Sequence, residues 1–438
     1  MRKFLTGEIT TLLRPFAVTV VMVLAGCESM RVVPPSPPAP VQTPPPVTAM
    51  PAPVPPRPVL NMDATDFSTL DGWTGSDTRA ALAAFRRSCV AILNKAAAAS
   101  LGGAGYAGTV VDWRDSCQAA FSADIQNPQA TRQFFETFFV PVRLSYGGAE
   151  GFFTGYYEPV LRGSRTRHGP YQTPIYGVPS DLVKIEGAVF RDTATLDPLF
   201  ERMMMSMMMM RYVPYPTRAE IEREGIPAKP LFYVDDPIDA FFLQIQGSGR
   251  VALDDGTEVR AAYAGQNGQP YTAIGSILLE RGELTREELS LQSIRAWLTS
   301  HPDQAQEVMD ANESYIFFSE QPVGEPGVGA EGAEGVALTP GASVAVDLSV
   351  HALGVPVWLE GTAPDPDAEK PDQIFNRLLI AQDTGGAIRG PLRGDIYWGI
   401  GAEAGAIAGR MKHPERMTLL LPKAVAARLP RHSEIPVS

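Results

Sequence analysis

Between Ala381 and Gly401 the chain reads AQDTGGAIRGPLRGDIYWGIG, and this stretch limits the fold more than any other. A short apolar run, Leu378–Ala381, ends on Asp383. The turn-forming pair Gly385-Gly386 follows, then a glycine-rich loop, then a second carboxylate, Asp395, among Ile396, Tyr397 and Trp398. Glycine at such spacing marks tight corners rather than helix interior. Further short β segments are expected at Ser343–Val346, Val355–Leu359, Arg377–Ala381 and Met417–Leu421, with one small helix at Ala402–Arg410. Many short strands turned by glycine predict a compact barrel. Two acids this close in sequence, one wedged against apolar groups, point to a carboxyl group kept protonated for proton transfer.

Composition removes other chemistries. A chain of 438 residues, 45% hydrophobic and 20% charged, is long enough for one or two domains with a substantial core. Its net charge of -12 argues against nucleic-acid binding, which needs Lys and Arg to displace counterions from phosphates. The five histidines (His168, His301, His351, His413, His432) have no metal-ligand spacing, and there are three cysteines, so no metal centre is expected. Gly399-Ile-Gly401 with Gly405 only loosely echoes a dinucleotide fingerprint and has no βαβ context. No cofactor is expected.

The chain begins with a leader. Arg2, Lys3 and Arg14 precede the apolar stretch Pro15–Leu24, too short to span a bilayer and suited to a signal-peptide core. Leu24-Ala25-Gly26-Cys27 resembles the lipobox of bacterial lipoproteins, which makes residues 1–26 a signal peptide and Cys27 the acylated N-terminus. The alternative is a plain signal peptide with a chance cysteine. Glu28 is not the aspartate of an inner-membrane retention signal, so the expected place is the outer membrane, lipid-anchored and facing the periplasm. Residues 27–60 form a linker, with thirteen prolines between Arg31 and Leu60. In polyproline II form such a spacer reaches on the order of 90 Å. Cys89 and Cys117 then lie in an oxidising compartment, as a disulfide or as two buried thiols.

Folded structure is expected from near Asp63. Asp77 or Thr78 can cap a helix through Ala80–Ala99 with Leu82, Phe85, Val90 and Leu93 on one face. Helices follow at Trp113–Phe121 and Thr131–Phe138, then strands from Val140 through the GFFTGYYEP segment. The middle of the chain reads as α+β. Ala240–Gln246 is expected as a buried strand ending on Gly247-Ser248-Gly249. Asp255-Gly256 joins two strands as a hairpin. Helices are expected at Ala273–Arg281 and from Thr285, where Thr285 and Glu288 form a capping box. Ser314–Ser319 returns to strand, and the Gly/Pro-rich stretch Gln321–Gly341 is a boundary. Met203–Met210 reads as a low-complexity insertion in a mobile loop.

Six blocks occur in order: Gly151–Pro159 (GFFTGYYEP), Tyr171–Pro179 (YQTPIYGVP), Pro216–Ile221 (PTRAEI), Gln244–Arg250 (QIQGSGR), Tyr263–Gly275 (YAGQNGQPYTAIG) and Asp383–Gly401. Together they resemble the membrane-bound lytic murein transglycosylase A family. The C-terminal part resembles its 3D domain, named for three aspartates that here fall on Asp347, Asp383 and Asp395. The Met-rich tract and Ile226-Pro-Ala-Lys-Pro depart from the family pattern. The resemblance implies a double-psi β-barrel from the N-terminal part (61–158, with a helical lead-in) and the C-terminal part (322–430). It implies a smaller β-rich domain inserted at 159–321, with a groove between the two. The implied activity is non-hydrolytic cleavage of peptidoglycan glycan strands between N-acetylmuramic acid and N-acetylglucosamine, leaving 1,6-anhydromuramic ends. The implied form is a monomer.

Such chemistry needs one group to protonate the leaving oxygen and to take the proton of the attacking C6 hydroxyl. The family's acid/base maps onto Asp395. Asp383 would supply a like charge or orient a sugar hydroxyl, and Asp347 has the least defined role. Thr154, Tyr156, Tyr157, Gln246, Gly247, Ser248 and Gly249 match the family's groove blocks, and Tyr397 and Trp398 would stack on sugar beside the acid. Each of these groups also has a purely structural alternative: turn-forming aspartates, core aromatics and turn glycines. Three other functions stay open. Asp383-Thr384-Gly385 copies the triplet of aspartic proteases, though a second triplet is absent. A non-catalytic peptidoglycan-binding lipoprotein and an ordinary two-carboxylate hydrolase are the others.

Overall fold

The computed structural model describes residues 59–185, 188–192, 212–325, 327–429 and 433–436. The leader with Cys27, the proline-rich spacer up to residue 58 and the Met203–Met210 tract lie outside them. The first described element is β1 (Val59–Ala64), slightly before the expected start of folded structure near Asp63; its Leu60 to Ala64 pair antiparallel with β2 (Phe139–Tyr146).

Three helices separate these strands: α1 (Arg79–Leu93), α2 (Val110–Ser122) and α3 (Pro128–Phe138). Helix α1 stops at Leu93, short of the expected Ala99. The carbonyls of Ala97 and Ala99 are used instead to accept the first N–H groups of α2, from Val111 and Val110. Capping the next helix outweighs the helix preference of an alanine run. The buried stripe of α1 is Leu82, Phe85, Cys89 and Ile92, while Val90, expected on that face, is 52% exposed. Cys89 on α1 and Cys117 on α2 form a disulfide with a Cα–Cα distance of 5.2 Å, closing a sequence separation of 28. A loop of that length contributes about 3.6 kcal/mol through the unfolded state. Replacing both cysteines by Ala should lower unfolding stability in urea by that amount, and a loss below about 1 kcal/mol would contradict it.

The main core belongs to the barrel. After β3 (Gly151–Glu158) the chain leaves it through β4 (Val160–Ser164), β5 (Thr173–Tyr176), β6 (Leu182–Ile185), β7 (Ala188–Asp192), β8 (Tyr212–Pro214), β9 (Pro230–Val234), β10 (Gly249–Leu253), β11 (Glu258–Gln266) and β12 (Ile316–Pro322). It returns with β13 (Ser343–Val346), β14 (Pro356–Glu360), the short ribbon β15 (Thr362–Ala363) and β16 (Gln373–Ile374), then β17 (Arg377–Asp383), β18 (Arg393–Ile400), β19 (Lys412–Pro422) and β20 (Ser433–Pro436). Strands β14, β17, β13, β18, β3 and β19 pair in that order, and β19 pairs back to β14, closing a six-stranded barrel. Two of its pairs are parallel, β13 with β17 and β18 with β3. This is the expected double-psi barrel, assembled from both ends of the chain. Closure leaves no free edge.

The excursion between β3 and β13 builds a six-stranded sheet, β12-β11-β10-β4-β9-β5, and a three-stranded one, β6-β7-β8. The hairpin at Asp255-Gly256 forms as expected between β10 and β11. One element differs: Ala240–Gln246 is not a strand but most of helix α5 (Pro237–Gln246), while α4 is the helix Arg218–Glu224. Asp236 caps α5 by accepting from Ile238 N–H, Pro237 occupies the first turn, and Gly247 ends it in the left-handed conformation. All of Ala240 to Gln244 is buried, so no periodic polar face announces a helix. The Thr285–Glu288 box also forms, but it closes a single turn. The helix behind it, Leu291–Ser300, starts from Ser290.

Candidate active site

The two parallel pairs and one bulge create the site. In β18, Asp395 sits opposite Thr154 of β3 on one side and Ala345 of β13 on the other. The β13–β17 register shifts between Val344 and Ala345, so that Ala345 faces Asp383 rather than Gln382. A β-bulge of this kind re-aims side chains. Gln382 turns into the core, donating to Ala84 O and Ser88 Oγ and accepting from Ser343 Oγ. Asp383, Ala345, Asp395, Thr154 and, on β19, Lys412 therefore form one row across five strands. The small Ala345 stands between the carboxylates.

Asp395 keeps some solvent contact, and its Oδ1 accepts from Thr154 Oγ1 at 2.6 Å. Burial, the largest influence, pushes its carboxyl up to about 6; Asp383 adds to this, while Arg393 and the Thr154 hydroxyl oppose it. Asp383 accepts from Tyr156 Oη at 2.7 Å on Oδ2 and from Ala333 N–H at 2.9 Å on Oδ1. Burial raises Asp383 as well, against those hydrogen bonds. With both oxygens accepting, its surroundings are wired for the carboxylate. The pair is thus asymmetric, one carboxyl with an oxygen free of hydrogen bonds and one with both oxygens accepting.

The remaining expected residues fall into two groups. Thr154 and Tyr156 contact the carboxylates directly. Tyr157 donates its backbone N–H to Gln246 Oε1 at 2.9 Å, which docks the end of α5 onto β3. Gly247 needs its φ of +80°, and a Cβ on Gly249 would lie 2.5 Å from Leu243 Cδ1, so both glycines shape the turn. Ser248 between them is part-exposed. Tyr397, expected to stack on sugar, is fully buried and donates to Glu158 Oε1 at 2.8 Å. Asp395 and Tyr397, two apart on β18, share a face, and Tyr397 lies beside its register partner Tyr156 on β3, at 5.3 Å between ring centroids. Trp398 packs on Phe375. Asp347 is 4% exposed and accepts from the N–H groups of Ser349 and Gly390 and from Ser349 Oγ. Although burial is the largest influence on it, these bonds hold Asp347 below the usual carboxylate range. With His351, whose Nε2 donates to Pro391 O at 2.8 Å, it pins the loop between Asp383 and Asp395 instead of facing the row.

Three neighbours were not singled out from sequence. Arg393 shares the face of Asp395 two residues earlier, which period-2 alternation could have flagged. Tyr271, 40% exposed, lies on the loop after β11 close enough to Asp395 and Arg393 to interact electrostatically with both. That loop is held by buried Asn267 and Asn312, whose amides bind Pro216 O, Glu313 O and Thr272 N–H. Glu158 is the third, and no local pattern marks it. Its Oε2 accepts from Arg260 Nε at 2.9 Å and its Oε1 from Ala330 N–H at 2.6 Å. A cavity of about 230 Å³ elsewhere in the excursion, lined by Tyr176, Glu222, Phe241 and others, is bordered by none of the row residues. Among the described residues no cluster of His, Cys, Asp or Glu is arranged to hold a metal ion.

Comparison with known proteins adds context. Residues 152–319 match the MltA specific insert domain and residues 342–421 match the 3D domain. Membrane-bound lytic murein transglycosylase A of Escherichia coli K12 is 34% identical over 279 residues, covering 63% of this chain. The chain spans 66% of the length of that curated relative. The crystal structure of a membrane-bound lytic murein transglycosylase from Agrobacterium tumefaciens superposes with a TM-score of 0.71 at 32% identity, covering 84% of this chain and 99% of that one. E. coli MltA with bound chitohexaose superposes with a TM-score of 0.54 at 30% identity, covering 71% and 83%.

Proposed function

This chain belongs to the membrane-bound lytic murein transglycosylase A family, and on that premise we propose that it cleaves peptidoglycan glycan strands without water, with Asp395 as acid and base. The observation that carries the reading is the asymmetry of the row: Asp395 is raised to about 6 with one oxygen uncommitted, beside a carboxylate that is fully bonded. In the proposed reaction Asp395 gives its proton to the glycosidic oxygen as the bond from C1 of N-acetylmuramic acid breaks. The sugar's C6 hydroxyl then bonds to C1, and its proton returns to Asp395. The acid is regenerated and no water is consumed, so one carboxyl suffices.

Two features support this division of labour. Asp383 supplies negative charge that stabilises the oxocarbenium-like centre and keeps Asp395 protonated. Thr154 holds Oδ1, with Tyr271 of the loop after β11 near enough to interact electrostatically with the acid. The bound chitohexaose in E. coli MltA supports a glycan ligand for this groove. The names of the relatives support membrane association. Among the described residues no helix is long and apolar enough to cross a membrane. Acylation of Cys27 is the attachment we propose, on the outer membrane.

The decisive experiment is product mass after digesting purified sacculi with the protein lacking residues 1–58. Anhydro ends lie one water below the reducing ends of hydrolysis. Reducing ends would replace the proposal with a hydrolase, and binding without any released fragment would replace it with a carrier.

A further inference from the structure

With Asp395 read as the acid, the cation nearest it, Arg393, still has no assigned part. Residues two apart on a strand share a face, so both project from the same side of β18. Arg393 Nη2 donates to Thr154 Oγ1 at 2.7 Å, Nη1 reaches Phe152 O and Gly394 O, and the guanidinium lies 5.4 Å from the Phe152 ring centroid. A guanidinium only donates. Thr154 therefore receives Arg393 on a lone pair, and its single hydrogen points to Asp395 Oδ1 at 2.6 Å. Freed from Arg393, the hydroxyl could turn over and accept the proton of the acid itself, which would tie up the proton that catalysis needs.

We propose that Arg393 is a positioning residue: by donating to Thr154 it locks that hydroxyl as a donor to Oδ1 of Asp395, so that Oδ2 carries the proton presented to the glycosidic oxygen. This rests on the reading of Asp395 as the acid. The same chain stabilises the carboxylate that forms as the proton leaves, a charge present in the transition state and absent before it. Other groups facing Asp395 do not substitute. Asp383 faces it across β13 and Tyr156 from β3; Tyr271, on the loop after β11, interacts with it electrostatically. Lys412, opposite Thr154, spends its Nζ on the carbonyls of Arg286, Glu287 and Leu289.

The test is a ¹³C-carboxyl titration of Asp395, assigned by its loss in Asp395→Asn, alongside pH–rate profiles. In Arg393→Gln the midpoint should move up by about half a pH unit or more as a nearby cation is lost. Its kcat should fall about tenfold, with KM within about twofold, because the lost interaction acts in the transition state. Arg393→Lys keeps the charge but not the fork, so its midpoint should stay while kcat falls. Thr154→Val should cost as much as Arg393→Gln, and the double variant no more than either, as for groups acting as a unit. An unmoved midpoint in Arg393→Gln, additive losses, or an effect confined to KM would overturn the proposal. Circular dichroism establishes folding, and if the Gln variant is unfolded the Lys variant decides through kcat. The activity of Asp395→Asn judges the acid assignment separately, since the titration reports the coupling whether or not that variant turns over.

Discussion

Asp395→Asn should reduce release of soluble muropeptides from sacculi by about a thousandfold or more, the range expected when a general acid is removed. The substitution keeps an oxygen to accept from Thr154 and nearly the same volume, so thermal unfolding and sacculus binding should match the parent. What it removes is the transferable proton. A companion result follows in the unmodified protein. The acid must enter the reaction protonated, and burial together with Asp383 raises it to about 6, so turnover should fall as pH rises through about 6. Retention of activity within tenfold in Asp395→Asn, or turnover that climbs steadily above pH 7, would show that another group delivers the proton.

Glu158→Ala should cost about 3–5 kcal/mol of stability, the largest effect expected from any single change away from the row. Glu158 closes β3 at the point where the chain leaves the barrel. Its side chain is fully buried, and that of Arg260, on β11, is 6% exposed. Truncation strands the Arg260 charge and also takes the acceptor from Tyr397 Oη and Ala330 N–H. Leaving buried donors without partners is what makes the loss large. The pair itself need not be strongly stabilising, because desolvation offsets much of its attraction. Urea unfolding measures the effect, and a change below about 1 kcal/mol would mean that water reaches the site and solvates Arg260. Glu158→Gln, which keeps an acceptor but not the charge, should fall between the parent and the Ala variant. Tyr397 lies two residues from Asp395, so the Ala variant should lose turnover even at temperatures where it stays folded.

Most barrel strands could be read directly from the chain, because short apolar runs between glycines leave few other conformations. The paired acids and the groove blocks were equally visible, since their identity and order are written locally. Reading failed where burial is uniform or where distant segments compete. Helix α5 has no polar face to betray its period, and the alanine run after α1 was diverted to cap α2. Tyr397 looked like a sugar platform because sequence shows an aromatic beside an acid but not which layer lies above it. Asp347 looked like a third site acid, yet its oxygens hold the Asp383–Asp395 loop.

The amino-acid order alone therefore determined most of the barrel strands and the two candidate carboxyl groups, since each depends on neighbours a few positions away. Tertiary structure decided how differently the two carboxyl groups are held, one with an oxygen left free and one with both oxygens accepting. That outcome comes from the bulge at Ala345 that turns Asp383 into the row, from the parallel pairing that sets Thr154 against Asp395, and from Arg393 bonding to Thr154 across two strands. A proton's affinity is set by burial and by the charges and donors within a few ångströms. Here those groups come from positions more than two hundred residues apart, and only folding brings them within hydrogen-bond reach.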